Sequence, residues 1–340
     1  MQAHLIKSLG RLLVGVVCLG AVTCPAAETS AVDFKEVMQV LRENLAGASE
    51  DSLNRAAVEG LFIALKGKVM LADTNTSTDT NAVVSRQQVI DGGVAYLRVT
   101  RVVEGLDGEV TKALSALKTT NELAGVVLDL RYAGGADYRA AASTVDLFLG
   151  KELPLLNAGH GLISSRDKTN ALRLPAVALV NGETAEAGEA LAAMMRYSGA
   201  GLLIGERTAG RAAVMKEIVL TNGQVLRVAV APVLLGDAKP VAQTGVTPDI
   251  EVALKADEER NFYLEPFAQV GNGQTNSVRS ARRPRVSEAD LVREKRGEAD
   301  LESLAAAREK AESATVIVDP MLSRAVDLLK GLAVVRSSRF

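Results

Sequence analysis

The sequence predicts an α/β protein built on a mainly parallel sheet, with helical segments before and after it. Three observations point there. Short, near-continuous apolar runs recur as GVVLDLR (125–131), PAVALV (175–180) and GLLIGE (201–206), the pattern of strands buried on both faces. Segments with helical apolar spacing lie between them, so strands and helices alternate. Aromatic residues are only 3% of the chain and Trp is absent, which leaves small aliphatic side chains to fill the layers.

The elements follow in order. Residues 1–30 read MQAHLIKSLGRLLVGVVCLGAVTCPAAETS. Lys7 and Arg11 precede an apolar stretch from Leu12 to Val22, too short to span a bilayer, and small residues follow it. This predicts a secretory signal peptide over 1–27. Thr23 is a poor residue before a modified cysteine, so a lipoprotein anchor is not expected, nor any stable membrane anchor after cleavage. Cleavage removes both cysteines, Cys18 and Cys24, together with His4. The mature chain then has no thiol chemistry and one histidine, His160, in a Gly-rich stretch that reads as surface. It also loses Lys7 and Arg11 and no acid, so the net charge moves from −2 to −4. An acidic chain poor in aromatics is not expected to bind nucleic acid.

Residues 28–70 read as an N-terminal helical segment. In 33–46, Phe34, Val37, Met38, Leu41 and Leu45 share a helical face; in 51–66, Leu53, Ala56, Ala57, Leu61 and Leu65 do. Residues 71–92, with TNTSTDTNA at 74–82, read as a linker. The core spans 93–255. VAYLRV (94–99) is a strand, 109–117 a helix, 125–131 a strand, YAGGAD a turn and 138–149 a helix. Then come the strand 175–180, a helix over 184–197 and the strand 201–206. Residues 217–233 predict a hairpin, with Asn222-Gly223 as a two-residue type I′ turn. Residues 256–285 read as a polar linker and 286–340 as a C-terminal helical segment. There Asp319 caps a helix over 320–335 that opens on Pro320, and Leu322, Val326, Leu329 and Leu332 form its apolar stripe. Apolar stripes at both ends make a homo-oligomer an expectation.

The segment NGETAEAGEALAA (181–193) leaves a buried strand and opens a small-residue helix, a good mount for a nucleophile, yet it holds no serine. GVAYLRV, GVVLDLRYAGG, PAVALVNGETAEAGEALAA, GERTAGRAAV, the NGQVLRVAVAPV hairpin and TGVTPDIEV, in this order over about residues 93–252, resemble the carboxyl-terminal processing (tail-specific) serine peptidases. The resemblance implies a ClpP/crotonase-like peptidase core and a Ser-Lys-Gln site without a cofactor. It also implies a polypeptide as the partner. Aligned on Glu189, the nucleophile position holds Glu186, the base position 25 residues later holds Arg211, and the assisting position four further holds Met215. The oxyanion-hole equivalents are Gly134, Gly135 and Ala187. Residues 67–92 are too few for the PDZ domain that many such peptidases insert there.

The three departures remove the chemistry. A Ser-Lys dyad needs a hydroxyl and a lysine that gives up its proton. Arginine stays protonated, glutamate has no hydroxyl, and Met215 cannot hydrogen-bond usefully. The expectation is a pseudopeptidase, with Glu186 and Arg211 forming an ion pair where the dyad would be. Two other readings stay open. Thr184 and Lys216 would serve as a displaced nucleophile and base. Glu183, Glu186 and Glu189, three residues apart, would otherwise offer carboxylates to a hard cation; without histidine that set binds weakly, and no metal is assigned. Asp129 and Arg131 read as structural charges at a strand end.

Overall fold

The computed structural model describes residues 32–65, 67–72, 82–90, 92–241, 244–269 and 315–337. The expected signal peptide and the expected helix over 286–312 lie outside the described residues. Residues up to Ile63 form one compact unit and residues from Ala64 a second.

The first unit holds α1 (Phe34–Asn44) and most of α2 (Glu50–Ala64). Asp33 caps α1 by accepting the Lys35 N–H at 3.0 Å. The expected apolar faces exist, but in α1 only Met38 is buried and in α2 nothing is. Phe34 and Leu61 are more than half exposed. Two short helices are too little chain to enclose a core of their own.

The second unit is organised by a six-stranded sheet. Its strands are β2 (Val84–Ile90), β3 (Val94–Val99), β4 (Gly125–Asp129), β7 (Ala176–Val180), β8 (Leu202–Gly205) and β12 (Ile250–Glu251). The spatial order is β12-β8-β7-β4-β3-β2. All neighbours are parallel except β2, which runs antiparallel to β3 at the edge. β2 corrects the reading of 71–92 as linker. Its outward residues, such as Ser85 and Gln87, are exposed, so half of this edge strand is as polar as a loop.

The sheet buries both faces, as the apolar runs require. Ala95, Leu97, Val99, Val126, Leu128, Ala178 and Val180 point into one core. That core is closed by α3 (Leu106–Lys118), α4 (Tyr138–Asp146) and α5 (Glu186–Ser198). The alternate residues Val94, Tyr96, Val127, Val177 and Leu179 point to the other face. There the helix α7 (Pro320–Ser337) inserts Met321, Leu322, Ala325, Val326 and Leu329. Asp319 caps it as expected, accepting from Met321 N at 2.9 Å and Leu322 N at 3.2 Å. This is the α/β class with a mainly parallel sheet and packed helices that the sequence predicts.

Smaller elements complete the unit. β5 (Pro154–Asn157) pairs with β6 (Leu162–Ser164) and β11 (Leu234–Leu235). β1 (Val69–Leu71) pairs with β10 (Val225–Pro232), which pairs with β9 (Ala213–Val219). The β9–β10 hairpin is present, but its turn is not type I′. Gly223 N donates to Leu220 O at 2.9 Å and Gly223 alone in the turn has a positive φ, +82°. That is a three-residue loop ending on a left-handed glycine; a type I′ turn would also need a positive φ at Asn222. The segment read as polar linker after 255 begins with α6 (Ala256–Leu264) and β13 (Phe267–Gln269), which pairs with β14 (Thr315–Ile317). With Asp257, Glu258 and Glu259 in its first turn, α6 has little apolar periodicity to betray it.

Candidate active site: a peptidase frame with its oxyanion donors occupied

Two turns meet at the carboxyl ends of the neighbouring parallel strands β4 and β7. The first, Leu130 to Asp137, leads into α4; the second, Asn181 to Ala185, leads into α5. Asn181, 1% exposed, ties them together. Its Oδ1 accepts from the N–H groups of Tyr132 (3.1 Å), Glu183 (3.2 Å) and Thr184 (3.0 Å). Further bonds run from Ala185 N to Ala133 O and from Ala187 N to Gly135 O, both 2.9 Å. Gly188 lets the helix approach, since a Cβ there would stand 2.6 Å from Ala133 O. The two turns are therefore held by backbone bonds and by the Asn181 and Thr184 side chains, and need no catalytic group.

Glu186 sits at the head of α5 with φ +52°, a left-handed conformation that costs a side-chain-bearing residue about 1–2 kcal/mol. A strained strand-to-helix turn of this kind lifts a side chain clear of the backbone. Here it lifts a carboxylate. Glu186 Oε2 accepts from Gly135 N at 3.3 Å. Two of the three N–H groups that the resemblance implies as oxyanion donors are thus engaged: that of Gly135 by Glu186, and that of Ala187 by the Gly135 carbonyl. Gly134 contributes its carbonyl to Val102 N at 2.9 Å.

The expected ion pair between Glu186 and Arg211 does not form. Arg211 pairs with the half-exposed Glu183, Nη2 to Oε2 at 3.5 Å, and its side chain lies over Gly67, where a Cβ would meet it at 2.6 Å. The reason is competition. The Gly135 N–H takes the Glu186 carboxylate, and the Arg211 side chain runs out along Gly67 toward Glu183.

The loop carrying Arg211 is fixed by Glu189, which is fully buried in α5. Its carboxylate accepts from the Thr208 hydroxyl, from Gly210 N and Arg211 N at 2.8 Å, and from Ala212 N at 2.9 Å. Thr208 Oγ1 in turn accepts from Val246 N at 2.7 Å. Tyr138 fastens the start of β9: its hydroxyl donates to Ala213 O at 2.9 Å and accepts from Ala213 N at 3.1 Å. Burial pushes the Tyr138 phenol up to about 12.

The remaining candidates fall as follows. Met215 lies on β9 and lines a cavity of about 180 Å³ with Tyr138 and Val214. His160 is exposed, as its Gly-rich setting suggests, and it lines the same cavity. The Thr184 hydroxyl is fully buried, donating to Leu130 O at 2.9 Å and accepting from Asn181 N at 3.0 Å. Lys216 is exposed on β9, and no hydrogen bond joins it to Thr184 among the described residues. The structure thus holds Thr184 as a turn fastener and does not bring the displaced pair together. Glu183, Glu186 and Glu189 bind Arg211, Gly135 and the 208–212 loop respectively, so their carboxylates do not converge. No group of three or more His, Cys, Asp or Glu is placed to hold a metal among the described residues.

Asp129 and Arg131 lie behind the first turn and are fully buried. Arg131 grips Asp129 with two bonds, Nε to Oδ1 at 2.9 Å and Nη2 to Oδ2 at 2.7 Å, and reaches Asp319 Oδ2 at 2.7 Å. Tyr96 donates to Asp129 Oδ2 at 2.6 Å. Burial works against the Asp129 charge, but the Arg131 guanidinium and the bonds from Arg131 and Tyr96 outweigh it and hold the carboxyl below its ordinary range. These are structural charges, and through Asp319 they join the site turn to α7. Sequence reasoning missed Asn181, Tyr138 and the reach of Asp319. An Asn directly after a buried strand is the one signal available, because its side chain favours this kind of turn.

Residues 93–252 match the family model described as peptidase family S41. The α/β core of the chain belongs to that family, that of the C-terminal processing peptidases. The carboxy-terminal processing protease CtpA of Bacillus subtilis is 24% identical over 250 residues, covering 72% of this chain and 51% of that protein. The chloroplastic C-terminal processing peptidase of Tetradesmus obliquus is 29% identical over 163 residues, covering 47% and 35%. The chain therefore spans about half the length, or less, of these relatives. Among solved structures, the photosystem II D1 C-terminal processing protease is similar, with a TM-score of 0.40 and 25% identity over 54% of this chain and 48% of that one. Among the described residues no helix is long and apolar enough to cross a membrane.

Proposed function

We propose that this chain is an exported, catalytically silent member of its family that binds a polypeptide, as a carrier or scaffold. One observation carries the reading: the Glu186 carboxylate stands at the strained head of α5 and takes the Gly135 N–H. An oxyanion hole works by keeping donors free for a charge that develops during reaction. Here a resident carboxylate holds one donor, no hydroxyl replaces the missing serine, and the nearby cation is a guanidinium paired with Glu183. Every bond that shapes the turns is retained without the reagents, which suits a surface kept for binding. Export rests on the sequence of residues 1–27.

The test uses the mature chain, residues 28–340, and an unfolded protein substrate, with cleavage read by mass spectrometry. Wild type is expected to be silent, and the Glu186→Ser/Arg211→Lys/Met215→Gln variant to cut. Cleavage by wild type that Thr184→Ala abolishes would refute the reading and restore the displaced hydrolase.

A further inference from the structure

β9 is the outer strand of the β1-β10-β9 sheet. β10 takes one of its edges; among the described residues no strand pairs with the other. The ladder fixes which groups face outward. Leu220 N donates to Gln224 O at 2.8 Å, so that pair faces inward. Opposed pairs alternate in an antiparallel ladder. Ile218 and Lys216, opposite Leu226 and Val228, therefore turn their backbone groups to β10, and Val219, Glu217 and Met215 turn theirs away. The far side of β10 agrees. Ala229, opposite Met215, donates to Lys68 O, and Val225, opposite Val219, accepts from Ala72 N, both at 2.7 Å.

An open edge of this kind is usually blunted. β9 has seven residues and no proline, and the register shift of the hairpin falls at Ala229/Ala231 on β10. Its end presents Ile218 at 42% and Val219 at 72% exposure, enough to make the edge adhesive; Lys216 is its one basic residue. Its head leads into the candidate site. Val214 and Met215 line the cavity shared with Tyr138 and His160, and Arg211 lies two residues before the strand.

We propose that the free edge of β9 is where the partner polypeptide docks. An extended segment adds as a fourth strand, bonding the outward N–H and C=O groups of Met215, Glu217 and Val219. Aliphatic side chains of the segment cover Ile218 and Val219, and one end of it enters the 180 Å³ cavity beside Met215. The proposal rests on the polypeptide-binding reading and adds the place and the mode: backbone pairing, tolerant of sequence, with an aliphatic preference at one end.

The experiment is amide hydrogen exchange on residues 28–340 with and without a reduced, carboxamidomethylated, permanently unfolded protein chain, alongside a fluorescence binding titration. Protection is expected in Met215 to Val219. Glu217→Pro removes an outward N–H and the ion pair to Arg227 at 3.7 Å, but none of the backbone bonds to β10. It should weaken binding by about tenfold or more and leave the far-UV circular dichroism unchanged. Val219→Pro, at the exposed end, makes the same test should Glu217→Pro misfold. Undiminished binding in both variants, or protection elsewhere, would overturn the edge and leave polypeptide binding standing. Absence of any binding would overturn both. A dimer in sedimentation velocity that Glu217→Pro abolishes, without binding of the unfolded chain, would assign the edge to a second copy and also overturn the proposal.

Discussion

Glu189 holds the frame of the site, and Glu189→Gln measures how much. The substitution keeps shape and removes one charge and one acceptor. Oε1 accepts from the Thr208 hydroxyl and Gly210 N; Oε2 accepts from Arg211 N and Ala212 N. A glutamine must turn its NH2 toward one pair. Facing Arg211 and Ala212, it opposes two backbone N–H groups. Facing Thr208 and Gly210, it opposes one, and the Thr208 hydroxyl reverses. The second arrangement is cheaper. It leaves the Gly210 N–H unpaired, at about 1–3 kcal/mol, and weakens the remaining charge-assisted bonds by about 1 kcal/mol each. The sum is roughly 3–5 kcal/mol. Urea unfolding of residues 28–340, followed by far-UV circular dichroism, should show a lower midpoint at unchanged slope. Thr208→Val, which deprives Glu189 of a donor and Val246 N of its acceptor, should cost about 1–3 kcal/mol by the same reasoning. A loss below about 1 kcal/mol for Glu189→Gln would mean that something else fixes the 208–212 loop, and the argument for a self-supporting frame would fail.

Asp319→Asn breaks one arm of a fully buried pair and should cost about 3–5 kcal/mol in the same unfolding assay, with earlier proteolytic release of α7. Gly135→Ala should cost more than about 3 kcal/mol, because φ there is +117° and the new Cβ would meet Val102 O. The Asp129 carboxyl is held below its ordinary value of 3.8 in the fold. Its contribution is therefore complete above that value and is lost as pH falls through the folded value. Acid unfolding followed by circular dichroism should be steeper in wild type than in Asp129→Asn. The Tyr138 phenol is raised from 10.0 to about 12, so its contribution is present below pH 10 and disappears as pH rises toward 12. The phenolate absorbance lost in Tyr138→Phe should titrate in that range.

The parallel core was legible because it is buried on both faces. Strands such as 125–129 and 176–180 have no polar alternation to obscure them. β2 and α6 were illegible for the opposite reason. One is an edge strand with a wet face, and the other a short acidic helix with one buried residue, the acidic Glu259. The hairpin was found, yet Asn222-Gly223 suggested the wrong turn. The dipeptide supplies one left-handed residue for certain, and only the strand register decides whether a second is needed.

Residue identity in the site could be read directly, because arginine and glutamate exclude the Ser-Lys chemistry in any geometry. Pairing could not. Opposite charges at linked positions suggest an ion pair, but the sequence does not state which acceptor or donor lies nearer. Glu186 met a backbone N–H already aimed by the Gly135 turn, and Arg211 met Glu183, which lies three residues before Glu186. A preorganised backbone donor needs no side-chain ordering, whereas an ion pair must immobilise two long side chains. On the proposed reading, the same asymmetry explains how the frame stands without a serine and a lysine in place. Asn181, Thr184, Glu189 and Tyr138 bond mostly to backbone atoms, so replacing the residues at 186, 211 and 215 leaves their partners untouched. It also makes the triple variant a fair test of the proposed function, since the substitutions place serine, lysine and glutamine on a scaffold whose shape does not depend on the side chains at 186, 211 and 215.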